Sequence, residues 1–193
     1  MREYQYKILE NMPYQEYLDF YKDNLNDLRN TDNYLWYEGL EEKKWQSLNI
    51  LPNNPLYKKI ENFYKPLGFD ITHIQYFKTV ARYGFVPIHI DHGVNGVVRR
   101  AAINIPIQAE GIDQYFIMGT EELQPNPEAG GKSLKYHYIP EVCSFYNSRK
   151  PWVLNTQIPH GFANWSDKDR IILSVGFMQD YDFVVERLPK EWF

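Results

Sequence analysis

The sequence predicts a mainly β protein with flanking helices, and three observations support this fold class. The chain has 193 residues, a length that suits one domain with a full hydrophobic core. Aromatic residues make up 17% of the chain, and aromatic side chains are favoured in strands. From Ile71 onward the chain consists of short runs rich in β-branched and aromatic residues, separated by Gly, Pro, Asn and Asp. We therefore expect a single domain, residues 1–193, in which strands dominate after the first third.

The first third, residues 1–70, follows a helical period and is predicted to be an N-terminal helical support. Apolar side chains recur at helical spacing from Tyr14 to Leu28. A second helix is predicted from Pro55 to Tyr64, because proline suits the first turn and either of the two preceding asparagines can cap it. Both helices are expected to pack against a sheet.

Residues 71–177 are predicted to form the β core, as a sandwich or jelly roll, because short strands follow one another with turn residues between them. The patternless segment from Gly119 to Ser133 is predicted to be a surface loop, with a mobile lid over a site as the alternative. Residues 178–193 are expected to be a C-terminal tail, docked or frayed at its end. The predicted strands are Thr72–Ala81, Val86–Asp91, Arg100–Gln108, Tyr115–Met118, Lys135–Ile139, Val142–Tyr146, Trp152–Ile158 and Arg170–Phe177.

Charge and composition exclude several classes of partner. The chain has 21 basic and 25 acidic residues, a net charge of −4, so no general attraction to nucleic acid or an anionic membrane is expected. The lone cysteine, Cys143, cannot form an intramolecular disulfide, which is consistent with a reducing compartment. No apolar run has the length of a signal peptide core or a membrane span. We expect a soluble, cytoplasmic protein, and the oligomeric state stays open.

A His-x-Asp pair is the first candidate for chemistry. His89 and Asp91 are two residues apart on a predicted strand, so their side chains project to the same face. His160, far away in the sequence, can complete a triangle with them. Two histidines and one carboxylate occupy one face of an octahedral ferrous ion and leave three positions open. A single histidine more often has a surface or core role, but together these residues predict an iron site.

An arginine ten positions after His160 is the second candidate. Arg170 begins the apolar run from Ile171 to Phe177, so its guanidinium is expected to point into the core. There a buried cation needs an anionic partner, and a carboxylate matches its planar fork. Ser174 and Gly176 share its face of the strand and are small enough to leave room for a ligand. The alternative is a surface arginine or a structural salt bridge.

His89-x-Asp91, His160 and Arg170 resemble the iron and co-substrate motif of the Fe(II)/2-oxoglutarate-dependent dioxygenases. The resemblance covers residues 71–177 and implies a double-stranded β-helix, a cupin-like jelly roll. The stretch from Arg99 to Pro106 and the pattern around Asn164 are similar to aspartyl/asparaginyl β-hydroxylase-like and prolyl 4-hydroxylase-like members. By this resemblance His89, Asp91 and His160 bind Fe(II), and Arg170 holds the far carboxylate of 2-oxoglutarate.

Several neighbours of this motif are candidates for further contacts. Arg100, Asn104 and Tyr76 are expected to touch 2-oxoglutarate, beside Ser174. A register slip of one residue would turn Arg99 inward in place of Arg100. We expect His92 behind the ligands or on the surface, and ordinary structural roles for His73 and His137. Three aromatic residues are expected to line a substrate groove or fill the core: Trp152, Phe162 and Trp165.

The resemblance implies an enzyme that converts 2-oxoglutarate and dioxygen to succinate and carbon dioxide while it hydroxylates an unactivated C–H bond. The substrate would be a peptidyl residue or a small molecule. Asp91 favours hydroxylation, because family halogenases replace this carboxylate with a small residue. Two alternatives remain: a non-catalytic jelly-roll module that binds a sugar or peptide, and a cupin-type metalloenzyme that needs no 2-oxoglutarate.

Overall fold

A computed structural model describes residues 6–23, 34–38, 45–82, 84–91, 97–109, 113–117, 124–126, 131–133, 144–146, 149–158 and 160–193. Within these ranges the helices are α1 (Gln15–Asp23), α2 (Pro55–Tyr64) and α3 (Tyr181–Arg187), with short 3-10 helices at Lys65–Leu67 and Lys190–Trp192. The strands of the same ranges are β1 (Tyr6–Ile8), β2 (Tyr34–Glu38), β3 (Trp45–Ile50), β4 (Ile71–Thr79), β5 (Gly84–Ile90), β6 (Ala101–Gln108), β7 (Asp113–Ile117), β8 (Gln124–Asn126), β9 (Gly131–Ser133), β10 (Ser144–Tyr146), β11 (Trp152–Asn155), β12 (His160–Asn164) and β13 (Arg170–Phe177).

The described strands form two antiparallel sheets. The larger sheet has the order β1-β11-β6-β13-β4-β3-β2, and the smaller sheet has the order β10-β7-β12-β5-β9-β8. Successive strands from β4 to β7 and from β10 to β13 alternate between the two sheets. This alternation is the arrangement of a jelly roll, so the predicted fold class is confirmed.

The larger sheet separates the main hydrophobic core from the cavity between the sheets. On β13, Leu173 and Val175 belong to the main core with the helices, whereas Arg170, Ile172 and Ser174 face the cavity. Side chains alternate between the two faces of a strand, which explains this division. One strand thus supplies both the packing that anchors the helices and the polar wall of the cavity.

Helix α2 has the predicted bounds, and its start is fixed by a side-chain cap. Asn54 Oδ1 accepts a hydrogen bond of 2.9 Å from the backbone N–H of Leu56, and Pro55 occupies the first turn. The following 3-10 helix ends at Gly68, whose φ of 83° favours glycine. Leu56, Ile60 and Tyr64 are buried against the larger sheet. The predicted packing of a helix on a sheet is therefore present here.

The N-terminal third contains more than helices. Strand β1 pairs with β11, and β2 and β3 extend the larger sheet beside β4. In β3 the buried Leu48 and Ile50 flank the half-buried Asn49, a period of two that the helical interpretation of this region missed. Helix α1 begins near the predicted residue, and the part of the predicted helix beyond Asp23 lies outside the described residues.

The structure also differs from the sequence prediction in the second half. Strands β8 and β9 lie within the segment from Gly119 to Ser133 that was predicted to be a loop, and the rest of that segment is outside the described residues. The predicted tail contains helix α3, whose Tyr181 and Val184 join the main core with Trp192. The predicted strand Lys135–Ile139 falls outside the described part of the chain. Within the described ranges, no helix has the length and apolar character needed to span a bilayer.

Candidate metal centre

The smaller sheet brings the three predicted iron ligands together. His89 on β5 and His160 on β12 are direct partners in the antiparallel register, and their ring centroids are 4.5 Å apart. Asp91 follows β5, and its Oδ1 lies 3.3 Å from His89 Nε2. One nitrogen or oxygen atom of each residue lies within 4.8 Å of the others. Two imidazoles and a carboxylate at this spacing can bind one divalent metal ion.

Hydrogen bonding fixes which nitrogen of His160 is available to a metal. His160 Nδ1 lies 2.8 Å from the carbonyl oxygen of Ile158, so Nδ1–H donates to that oxygen. Nε2 is then the unprotonated nitrogen, as a metal ligand must be. The residue is 6% exposed, and this burial shields the nitrogen from bulk water.

Burial and charge hold Asp91 and His160 in the ionisation states that metal binding requires. Burial and the neighbouring His89 lower the pKa of His160 to about 4. Burial alone would raise the pKa of Asp91, but the Arg99 guanidinium and a hydrogen bond from His89 outweigh it, so the pKa of Asp91 lies well below its ordinary value. At neutral pH, His160 is therefore neutral and Asp91 is a carboxylate.

Arg170 lies in the cavity that also contains the two histidines. Its side chain is buried, with 2% of the residue exposed. The guanidinium carbon lies 3.7 Å from the centre of the Phe162 ring and 5.4 Å from the centre of the Trp152 ring. Aromatic faces attract a guanidinium and restrict its motion. The inward direction that the sequence predicted for Arg170 is the one observed, and Phe162 and Trp152 surround it.

Both polar and apolar side chains line this cavity. Asn104 and Ser174, both predicted here, are buried on adjacent strands and are direct partners in the register. Gln75 and Thr156 also line the cavity, although neither was predicted from the sequence. Gln75 is paired with Ser174 across β4 and β13, so the period of two on β4 was the signal that could have identified it. The apolar lining residues include Phe77, Val86, Leu154, Phe162 and Ile172.

Two predicted contacts do not face the cavity. Arg100 donates from Nη1 to Asp180 Oδ1 at 3.0 Å, and half of its side chain is exposed. Tyr76 lies on the opposite face of the larger sheet, where its ring centroid is 5.0 Å from that of Tyr21 in the main core. Both predictions are wrong for the same reason, because a shift of one residue along a strand moves a side chain to the other face.

Arg99, the neighbour of Arg100, faces the metal centre instead. Its Nε and Nη2 both contact Asp91 Oδ2, and its Nη1 lies 3.1 Å from His73 Nε2. Burial and the charge of Arg99 lower the pKa of His73 to about 3, so this histidine is neutral at pH 7. His73 was expected to have an ordinary structural role, yet it contacts the residue that binds Asp91. His92 and His137 lie outside the described residues, and Trp165 is half exposed.

No protein-family model and no curated protein sequence matches the chain. Solved structures match over almost its whole length. The epimerase SnoN in complex with Fe3+, alpha ketoglutarate and nogalamycin RO has a TM-score of 0.64 at 8% identity, over 92% of this chain and 80% of that one. The non-heme alpha ketoglutarate dependent carbocyclase SnoK, from nogalamycin biosynthesis, has a TM-score of 0.62 at 11% identity, over 91% and 80%. HygX from Streptomyces hygroscopicus, with nickel and 2-oxoglutarate bound, has a TM-score of 0.57 at 10% identity, over 90% and 82%.

At such low identities the similarity establishes the fold. The sheets described above are therefore shared with enzymes whose structures contain iron or nickel together with a 2-oxo dicarboxylate. The chain has the jelly-roll fold of the iron- and 2-oxoglutarate-dependent oxygenases.

Proposed function

We propose that the protein is an Fe(II)- and 2-oxoglutarate-dependent oxygenase that hydroxylates an unactivated C–H bond of a small molecule or a peptidyl residue. This proposal rests on the side chains that one cavity brings together. His89 and His160 line it beside Asp91, and the buried Arg170 lies in its wall. A metal and a dicarboxylate are the pair of ligands that this combination of side chains suits.

The donor set fits ferrous iron better than a structural zinc ion. Structural zinc sites are closed by four protein ligands, whereas the described residues supply three. Two of them, His89 and His160, lie on neighbouring strands, and Asp91 follows the end of β5. His89, Asp91 and His160 would hold the metal and leave the remaining positions to exogenous ligands. When bound, iron and 2-oxoglutarate supply the oxidising chemistry, in which dioxygen is consumed, succinate and carbon dioxide are released, and a C–H bond is oxidised.

The chain's own residues bind and orient the reactants. Arg170 would bind the far carboxylate of 2-oxoglutarate through two parallel hydrogen bonds, with Phe162 and Trp152 holding the guanidinium in place. Asn104 and Ser174 supply further polar contacts on the same wall. The apolar side chains of the lining limit access of water to the site.

Hydroxylation is the outcome that Asp91 supports, because its carboxylate occupies the ligand position that halogenases of this superfamily leave to chloride. The structural neighbours include an epimerase and a carbocyclase from nogalamycin biosynthesis, and HygX has been crystallised with hygromycin B. These names favour a small organic molecule as the substrate.

Metal-dependent binding of 2-oxoglutarate tests the proposal without knowledge of the substrate. We expect isothermal titration with Mn(II)-loaded protein under anaerobic conditions to show one 2-oxoglutarate per chain, and no binding to the metal-free protein. His89→Ala should abolish the metal-dependent component. A ligand-binding module or a cupin without a co-substrate would bind no 2-oxoglutarate in either state, and that result would reject the proposal.

A further inference from the structure

The two oxygens of Asp91 have different environments. Oδ1 lies 3.3 Å from His89 Nε2, on the side of the candidate metal. Oδ2 is contacted by both Nε and Nη2 of Arg99. The side chains of Asp91 and Arg99 are 11% and 16% exposed, so water screens their interaction only weakly. One oxygen is thus occupied by a guanidinium, and the other points towards the histidines.

The main chain at both ends of this ion pair is held by the turn after β11. Asp91 N–H donates to the carbonyl oxygen of Thr156 at 3.1 Å, and Thr156 Oγ1 donates to the carbonyl oxygen of Arg99 at 2.8 Å. Gln157 Nε2 bridges the carbonyl oxygens of Asp91 and Arg99, at 3.2 and 2.8 Å. Because the same two residues bind both backbones, the position of Arg99 relative to Asp91 does not depend on the ion pair alone.

The far side of the Arg99 guanidinium is also held. Nη1 donates to His73 Nε2 at 3.1 Å and to Ser174 Oγ at 3.4 Å. His73 accepts through Nε2, so its proton is on Nδ1, which lies 3.0 Å from Thr72 Oγ1. A chain of hydrogen bonds therefore runs from Thr72 through His73 and Arg99 to Asp91.

Gly176 provides the space that this chain of hydrogen bonds occupies. A Cβ atom at this position would lie 2.6 Å from Arg99 Cδ, and 2.7 Å from both His73 Cε1 and Thr72 Oγ1. Real Cβ contacts are longer than this, so any side chain here would displace Arg99 or His73. The small Gly176 was expected to make room for a ligand, but in the structure Arg99 and His73 fill that room.

We propose that Arg99 is a positioning residue that restricts Asp91 to one metal-ligating oxygen. This inference rests on the proposed function. An octahedral ion held by two histidines and one carboxylate oxygen keeps three positions open, and a carboxylate that binds through both oxygens takes one of them. By occupying Oδ2, Arg99 keeps that position available to the co-substrate and dioxygen. Its positive charge beside the metal also favours the dianionic 2-oxoglutarate.

Metal affinity and 2-oxoglutarate affinity should respond to Arg99 in opposite directions. In Arg99→Met, Asp91 can use both oxygens and a neighbouring positive charge is lost, so Mn(II) should bind at least as tightly as in the wild type. The Mn(II)-loaded variant should bind 2-oxoglutarate at least 10-fold more weakly. Arg99→Lys retains the charge but not the two-point contact with Asp91, so its affinity for 2-oxoglutarate should lie between those of the wild type and Arg99→Met. Gly176→Ala removes neither a charge nor a metal-binding residue. It should also weaken 2-oxoglutarate binding, because the added methyl group displaces the Arg99 guanidinium.

The experiment measures Mn(II) affinity from the electron paramagnetic resonance signal of the free ion, and 2-oxoglutarate affinity by calorimetry on the Mn(II)-loaded proteins. His89→Ala is the control that should lose Mn(II) binding. Parallel loss of Mn(II) and 2-oxoglutarate binding in Arg99→Met and Gly176→Ala would overturn the inference, because Arg99 would then merely hold the site together. Unchanged affinities for both ligands would overturn it as well. If the wild type binds Mn(II) but no 2-oxoglutarate, the proposed function itself fails.

Discussion

Acidification should destabilise the metal-free protein through His73 and His160, two histidines whose pKa is lowered in the folded state. Burial and neighbouring positive charges lower the pKa of His73 to about 3 and that of His160 to about 4. An unfolded histidine has a pKa of about 6.5, so between pH 6.5 and 4 the unfolded chain binds protons that the folded chain does not. The stabilisation that depends on neutral imidazoles is therefore fully present above pH 6.5 and is lost as the pH falls.

The size of the stability loss follows from the width of the pH range between the folded and unfolded pKa values of each histidine. Each full pH unit within it changes the free energy of unfolding by about 1.4 kcal/mol per histidine. From pH 7.5 to 5.0 each histidine should lower the free energy of unfolding by about 2 kcal/mol, and the pair should lower it by about 4 kcal/mol. The value is smaller than the full slope over this range because the unfolded histidine takes up its proton gradually around pH 6.5. Asp91 does not contribute here, since its pKa is lowered in the folded state and its contribution is lost only below the unfolded pKa of about 4.

Urea unfolding of the metal-free protein, followed by tryptophan fluorescence from pH 7.5 to 5.0, measures this effect. The wild type should lose stability steadily over this range, and His73→Gln and His160→Gln should each remove about half of the pH dependence. The double variant should remove most of it. The same pH dependence in the wild type and in both variants would show that burial does not hold the two imidazoles neutral.

Three further substitutions test the cavity and its support. Arg170→Met should weaken 2-oxoglutarate binding about 100-fold, because a buried charge-assisted pair is lost. Calorimetry should show that the Mn(II) affinity stays within about 3-fold of the wild type. An equal loss of both affinities would contradict the role assigned to Arg170. Phe162→Leu removes the ring 3.7 Å from the guanidinium carbon and should weaken 2-oxoglutarate binding about 3- to 10-fold; unchanged binding would show that the ring does not hold Arg170. Asn164→Ala should lower the free energy of unfolding by about 3 kcal/mol, because Nδ2 donates to three carbonyl oxygens and Oδ1 accepts from Ser166. The exposed ion pair of Arg82 with Asp167 is the control for Asn164, since Arg82→Ala should cost less than about 1 kcal/mol in the same urea titration.

Strand β13 could be predicted well from the sequence because Arg170 is followed directly by an apolar run. That run predicts both the strand and the inward direction of the arginine, and the period of two places Ser174 on the same face as Arg170. Strand β12 could not be predicted in this way. Its sequence, from His160 to Asn164, contains glycine and asparagine, which are depleted in strands, and its extended form depends on pairing with β5 on one side and β7 on the other.

The errors at the candidate site also have a physical origin. Arg99 and Arg100 are adjacent residues just before β6, so the sequence alone does not determine which of them points inward. The backbone decides, since Arg100 N–H donates to the carbonyl oxygen of Phe177 and Thr156 Oγ1 donates to that of Arg99. Tyr76 illustrates the same dependence on register, because its neighbours Gln75 and Phe77 line the cavity while Tyr76 joins the main core.

The visible charge-transfer band of an Fe(II)–2-oxoglutarate chelate would show directly whether His89, Asp91 and His160 form the iron site. Fe(II) and 2-oxoglutarate are added to the protein without oxygen, and the absorption spectrum is recorded. We predict a weak visible band in the wild type that is absent in His160→Ala. A wild-type protein with no band, or a His160→Ala variant that keeps it, would contradict the assignment of the iron site.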